Sequence, residues 1–269
     1  MSPRQQRDRM RFRLLVGLVL VPLAMTAAGC GGGGGGSGSS SAPLTIECVG
    51  DSITEGITLG EEKGPPERDP QGGYPGRLQA LLGSSVRVLN RGAGGSTAGE
   101  WLAAPTSSDG QLLWILIDAA GWQDFSLTGP PAGATSGLGA IVGADRPGLV
   151  IILLGVNDIA VDGPNLGAAT VGVVADRLDE VVRQAEAVAP HVLLSTLLAN
   201  TRDPASLIEA VNEQIRSRHP DFLPLGERFA AAGGAQLLGD DVHPDQQGYA
   251  VLAGIVADEL TRRGLVAPR

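Results

Sequence analysis

From Leu44 onward the chain alternates short apolar runs with longer segments in which apolar residues recur every three or four positions. The runs Leu44 to Val49, Val86 to Leu89, Leu149 to Leu154 and His191 to Thr196 are short and rich in β-branched residues, which predicts strands, and Phe222 to Leu225 supplies a shorter fifth. Leu149-Val150-Ile151-Ile152-Leu153-Leu154 has no polar position, as expected of a strand covered on both faces. Between these runs the spacing predicts helices over Tyr74 to Leu82, Leu166 to Ala187, Pro204 to Arg218 and Pro244 to Arg263. In the last, Tyr249, Leu252, Ala253, Ile255, Val256 and Leu260 share one face. Strand and helix in alternation imply right-handed crossovers onto one sheet, so the expected class is α/β, with a mostly parallel five-stranded sheet and helices on both faces.

One region breaks the rhythm. From a helix start near Ser96 to Leu149 lie about fifty residues, more than a single crossover needs. The 104–147 stretch contains Leu112-Leu113-Trp114-Ile115-Leu116-Ile117, Trp122, Phe125 and Gly129-Pro130-Pro131. These apolar residues either line a substrate site or cover the sheet as another helix would; the second reading is the simpler one.

The amino terminus has a different pattern. Residues 1 to 13 are basic and Leu14 to Ala28 are almost uninterruptedly apolar, too short for a comfortable membrane span but suited to the core of a signal peptide over residues 1–29. Export is the expected consequence. Thr26-Ala27-Ala28-Gly29-Cys30 resembles a bacterial lipoprotein box, with Ala27 where leucine is most usual; the resemblance implies cleavage before Cys30 and lipidation of its sulfur. Plain secretion and an uncleaved anchor are the alternatives. Gly31 to Ser41 has no side chains to bury, so residues 30–43 read as a lipidation site and flexible tether, spanning roughly 5–6 Å × √n, ahead of a domain over 44–269.

Composition narrows the function classes. A chain of 269 residues, 43% hydrophobic and 18% charged, can build one sizeable core. The first 29 residues carry five Arg against one Asp, so their removal takes the formal charge from −9 to −13. An acidic surface disfavours polyanions, and the bias of Arg over Lys, with Lys63 the one lysine, reflects genomic base composition; no nucleic-acid partner is expected. Cys30 and Cys48 are separated by the tether and Cys48 lies inside a predicted strand, so no disulfide is expected.

The chemistry is sought at the ends of the strands. The chain has no Gly-x-Ser-x-Gly elbow, no metal-ligand spacing among His191, His219 and His243, and no phosphate loop ending in Lys-Ser or Lys-Thr. Gly92-Ala93-Gly94-Gly95 meets the dinucleotide fingerprint only loosely, because Thr97 stands at the third glycine. The carboxyl ends of parallel strands share one edge, and there the chain offers Gly50-Asp51-Ser52, Asn90 to Thr97, and Gly155-Val156-Asn157-Asp158. Asp240-Asp241-Val242-His243-Pro244 supplies an imidazole from a late loop.

These four blocks, in this order over nearly all of Leu44 to Arg263, resemble the GDSL, or SGNH, hydrolase family. The resemblance implies a three-layer α/β/α flavodoxin-like fold and hydrolysis of esters or thioesters without metal or cofactor. It places the nucleophile at Ser52, the base at His243 and its partner at Asp240, and the oxyanion hole at the backbone N–H groups of Ser52 and Gly95 and the side-chain amide of Asn157. The chemistry agrees: a serine hydroxyl needs a base, neutral imidazole is one, and a carboxylate three residues away can hold the other ring nitrogen. Asp241 is the rival for that place. Asp51 and Asp158 are expected to hold loops through backbone N–H groups, and His191 and His219 to lie at the surface or cap elements.

Family members act on acetylated sugars, lysophospholipids, aryl esters and acyl thioesters. A tethered domain points first to O-acetyl groups on a cell-surface or extracellular glycan. A lysophospholipase or thioesterase-type lipid hydrolase and a non-catalytic glycan-binding module are the alternatives. The expected partners are a small acyl ester or acylated glycan and, through Cys30, a membrane; the expected location is the bacterial cell surface or periplasm as a lipoprotein, otherwise the medium.

Overall fold

A computed structural model describes residues 43–59, 66–102, 137–143, 145–162 and 168–268. The leader, Cys30, the tether and residues 103–136, including the aromatic run of the insertion, lie outside the described residues. In chain order the strands are β1 (Leu44–Gly50), β2 (Ile57–Leu59), β3 (Pro66–Arg68), β4 (Val86–Gly92), β5 (Leu149–Leu153) and β6 (Val192–Leu194). The helices are α1 (Ser52–Glu55), α2 (Gly73–Leu82), α3 (Ala98–Leu102), α4 (Gly137–Gly143), α5 (Val156–Asp162), α6 (Ala168–Glu186), α7 (Ala205–Arg218), α8 (Leu225–Ala232) and α9 (Gln246–Arg262).

The main sheet has the order β4-β1-β5-β6 and every pairing in it is parallel. β1 is central, its Cys48 opposite Asn90 on one side and Ile151 on the other. Alternation along the strands sends Ile46, Cys48, Ile151 and Leu153 into a core with α2 and α9, and Val49, Val150 and Ile152 into a second core with α3, α6 and α7. All five residues of β5 are buried, which is why its sequence has no alternation. Each fully buried aliphatic side chain of this kind contributes about 1.5–3 kcal/mol. Helices therefore cover both faces of a parallel sheet, and the three-layer α/β/α class stands.

The strand count is the correction. The fifth strand expected at Phe222 to Leu225 is reduced to one parallel bridge between Ser195 and Leu223. Leu223 donates to the Leu194 carbonyl at 2.8 Å and accepts from Thr196 at 3.0 Å, but Pro224 has no N–H to continue the ladder and α8 begins at Leu225. The sheet thus has four strands with a single-residue fifth position. The small antiparallel pair β2–β3, the one-turn α1, α5 and α8 were not predicted by the hydrophobic pattern; each is shorter than the window of about 11 residues over which a period is read.

One buried charge lies within the sheet layer. Glu47 of β1 has no exposed surface; one oxygen meets Arg91 Nε at 3.3 Å, and Arg91 in turn pairs with Asp145 at 2.5 Å. Burial pushes the Glu47 carboxyl up to about 7 against the opposing pull of Arg91. Because the folded value lies above the unfolded value of 4.5, the stability that protonation confers is complete below that unfolded value and is lost as pH rises through about 7. Replacement by Gln removes this penalty, so the thermal midpoint of Glu47→Gln minus that of the wild type should become more positive between about pH 5 and about pH 8. A difference independent of pH would contradict the assignment.

Candidate active site

β1 ends in Gly50, and Asp51 leaves the strand in an extended conformation to cap α1, its Oδ1 accepting from the Ile53 N–H at 2.9 Å. Ser52 is therefore the first residue of a single helical turn, which closes at Gly56 with φ of 94°. That turn sits directly on the sheet edge. A Cβ added to Gly50 would lie 1.9 Å from Thr54 Oγ1 and 2.7 Å from the Leu153 carbonyl, and one added to Gly92 would lie 2.0 Å from the Glu55 nitrogen. Gly50 and Gly92 are partners in the β1–β4 register, so together they form the notch into which α1 fits.

The imidazole arrives on a closed loop. Leu238 bridges Pro244, the Gly239 N–H donates to the His243 carbonyl at 2.8 Å and Asp245 donates to Leu237 at 2.9 Å before capping α9. Within the loop Asp240 Oδ1 accepts from the backbone N–H groups of Val242 and His243, both at 2.6 Å, and Oδ2 lies 2.7 Å from His243 Nδ1. A carboxylate only accepts, so Nδ1 carries the hydrogen and Nε2 presents a lone pair. That Nε2 lies 2.8 Å from Ser52 Oγ. Partial burial would raise the Asp240 carboxyl, but the hydrogen bonds from His243 and Val242 outweigh it and hold it below the usual carboxylate range. Asp241 turns the other way, accepting from Thr201 Oγ1 at 2.7 Å.

The glycine loop and Asn157 reach the same edge. The Ala93 N–H donates to the Gly50 carbonyl at 2.9 Å, and Asn157 Nδ2 donates to the Ser96 carbonyl at 3.0 Å. Gly95, between these two anchors, has φ of 76°, a conformation suited to glycine, and a Cβ there would meet nothing within 4 Å. It borders open space. Asn157 is almost fully buried, and its amide nitrogen carries a second N–H beyond the one given to Ser96.

Two residues of this arrangement were not singled out by sequence reasoning. Ser96, itself buried, takes a hydrogen bond from Trp101 Nε1 at 3.0 Å and reaches the Gly50 carbonyl at 3.5 Å through its hydroxyl, while its carbonyl orients Asn157. Their signal in the sequence was weak: a serine inside a glycine-rich turn and a tryptophan five positions on look like loop and cover.

The other polar residues brace the site. Asp158 accepts from the Ala98 N–H at 2.7 Å and from Arg177 at 2.9 Å, tying α5 to α3 and α6. Burial pushes Asp51 up to about 7, opposed by its bond to the Ile53 N–H. His219 caps α7 and meets Asp179 at 2.8 Å, and His191 is exposed ahead of β6; neither belongs to the site. Among the described residues no group of three or more His, Cys, Asp or Glu side chains is arranged to hold a metal ion.

Known proteins share this sequence pattern and this fold. The family model of the GDSL-like lipases/acylhydrolases matches residues 48–251. Among solved structures, a lipase/acylhydrolase from Enterococcus faecalis superposes with a TM-score of 0.54 at 21% identity, covering 84% of this chain and 98% of that one. A carbohydrate acetylesterase from Sinorhizobium meliloti gives 0.53 at 17% identity over 82% and 99% of the two chains. An aryl esterase from M. smegmatis gives 0.53 at 20% identity over 83% and 100%. No curated protein matches the chain.

Proposed function

The chain belongs to the GDSL-like lipase/acylhydrolase family, and on that premise we propose that it is a serine-dependent hydrolase of carboxylic esters. The observation that carries the reading is the continuous chain from Asp240 through His243 to Ser52, with 2.7 Å and 2.8 Å links, at the carboxyl edge of a parallel sheet.

Ser52 Oγ bonds to the carbonyl carbon as its proton passes to His243 Nε2 and the carbonyl π pair moves onto oxygen. The N–H groups of Ser52 and Gly95 and the free N–H of Asn157 are the donors for that oxyanion. Its collapse breaks the bond to the alcohol, which leaves with the proton from His243. Water then repeats the sequence on the acyl-enzyme, giving its proton to His243 and releasing the acid and Ser52. Asp240, held ionised, fixes the tautomer and stabilises the imidazolium at each step. Every step uses the chain's own side chains and water.

The substrate we favour is a short acyl ester, an O-acetyl group on a cell-surface or extracellular glycan. A structural neighbour at 17% identity is a carbohydrate acetylesterase, and a Gly/Ser tether would keep the domain near such polymers. The same reading has the chain exported through residues 1–29 and anchored by a lipid on Cys30.

Kinetics on para-nitrophenyl acetate and butyrate test the chemistry. The wild type should turn over the acetate, Ser52→Ala should be inactive, and Asn157→Ala should lose about 10²- to 10³-fold in kcat. Asp240→Asn should lose up to about 10⁴-fold while Asp241→Asn stays within a few-fold of wild type. Equal rates for wild type and Ser52→Ala on both esters would end the enzyme reading. The anchor is tested by fractionating cells that express Cys30→Ser: the protein should leave the membrane fraction, and an unchanged distribution would remove the lipid from the account.

A further inference from the structure

Residues 200–203 form a turn just beyond β6, closed by Asp203 N–H on Asn200 Oδ1 at 2.8 Å and Asn200 Nδ2 on Asp203 Oδ2 at 3.1 Å. Two successive side chains of this turn reach two different loops of the site. Thr201 gives its N–H to the Asp241 carbonyl at 2.9 Å and its hydroxyl to the Asp241 carboxylate at 2.7 Å, bracing the loop that carries His243. Arg202 donates from Nη2 to the Val156 carbonyl at 3.2 Å, one residue ahead of Asn157. Asp203 grips the same guanidinium, accepting from Nε at 3.1 and 3.2 Å and from Nη2 at 2.8 Å. The positive charge of Arg202 also acts on Asp51, the cap of the turn that carries Ser52.

We propose that Arg202 is a positioning residue for ester hydrolysis, an inference resting on the ester-hydrolase reading: held by Asp203, its guanidinium fixes the Val156–Asn157 peptide. The peptide unit is rigid, so a hydrogen bond to the Val156 carbonyl sets the orientation of Asn157 as well. An ionised cap accepts more strongly than a neutral one, and Asp51 is placed where ionisation is opposed. It has 1% exposure, its Oδ2 has no hydrogen-bond partner, and Asp158 of α5 adds a like charge. The phenols of Tyr74 in α2 and Tyr249 in α9 also face it, both kept neutral by burial. The charge of Arg202 acts against burial and Asp158. A lysine would keep the charge but, as a point donor, could not fork on Asp203 and reach Val156 together.

Arg202→Gln, Arg202→Lys and wild type are compared by kinetics on para-nitrophenyl acetate and by thermal midpoint against pH, each also in an Asp51→Asn background. Both variants should lose roughly 10- to 100-fold in kcat with KM within about two-fold, because the defect is one of geometry. The folded pKa of Asp51 lies above the unfolded one, so the Asp51 contribution to stability falls as pH rises from 3.8 through about 7. In Arg202→Gln that fall should extend to higher pH, in Arg202→Lys it should stay near its wild-type position, and in the Asp51→Asn background it should vanish. An active wild type beside a folded Arg202→Gln with unchanged kcat overturns the proposal. So does a change confined to KM, or a thermal profile identical to wild type. If the wild type hydrolyses no ester, the ester-hydrolase reading fails by itself, and the thermal profiles still decide whether Arg202 acts on Asp51.

Discussion

The contact on which the rest depends is the 2.8 Å approach of His243 Nε2 to Ser52 Oγ, made between residues 191 positions apart in the chain. A hydroxyl and an imidazole gain little from meeting at a wet edge, so the fold must hold them there by other means. It does so from both sides. Gly50 and Gly92 let α1 sit on the sheet, fixing the serine, and the 238–244 loop closes on itself and is pinned to α9 by Asp245, fixing the histidine. Tyr249 of α9 then donates to the Ile57 carbonyl at 2.5 Å, just beyond α1, so the helix that follows the histidine loop is bonded to the segment that follows the serine.

Around this contact the fold tolerates a notable load of buried carboxylates. Glu47, Asp51, Glu55 and Asp158 are all buried, and burial raises each of them. Three have an arginine in direct contact: Arg91 on Glu47, Arg68 on Glu55 at 2.7 Å and Arg177 on Asp158. Asp51, beside the serine, is the one served by a backbone N–H and a more distant charge. Breaking a buried pair by removing one partner costs about 3–5 kcal/mol, so these pairs fix the layout of the site more than they add to stability. Asp240 is the contrast: less buried and surrounded by donors, it stays ionised where a neighbouring imidazole becomes cationic.

Much of this was legible in the sequence where the signal is long or chemical. The runs at Leu44, Val86 and Leu149 became β1, β4 and β5; β5 is apolar throughout because it is buried throughout, while β4 at the sheet edge keeps polar residues, and the face of Tyr249, Leu252 and Val256 became the buried face of α9. The three strand-end blocks converge because parallel strands share an edge, and the loop ahead of α9 brings Asp240 and His243 to it. What the sequence left open depends on three-dimensional neighbours. Asp240 and Asp241 are alike in composition and adjacent; only the loop closure and Thr201 decide which one faces His243. The strand at Phe222 failed at Pro224, a local rule that the apolar run overshadowed. Ser96 and Arg202 act by bonding to residues distant in sequence, and no spacing announces such bonds.

The central claim is that Ser52 is made nucleophilic by His243 at this edge. Incubation with a fluorophosphonate followed by peptide mass spectrometry tests it directly. One covalent phosphonyl adduct is expected, on the peptide carrying Ser52, strongly reduced in His243→Ala although that variant retains the hydroxyl. Labelling of another residue, no labelling of the folded wild type, or equal labelling of His243→Ala would contradict it.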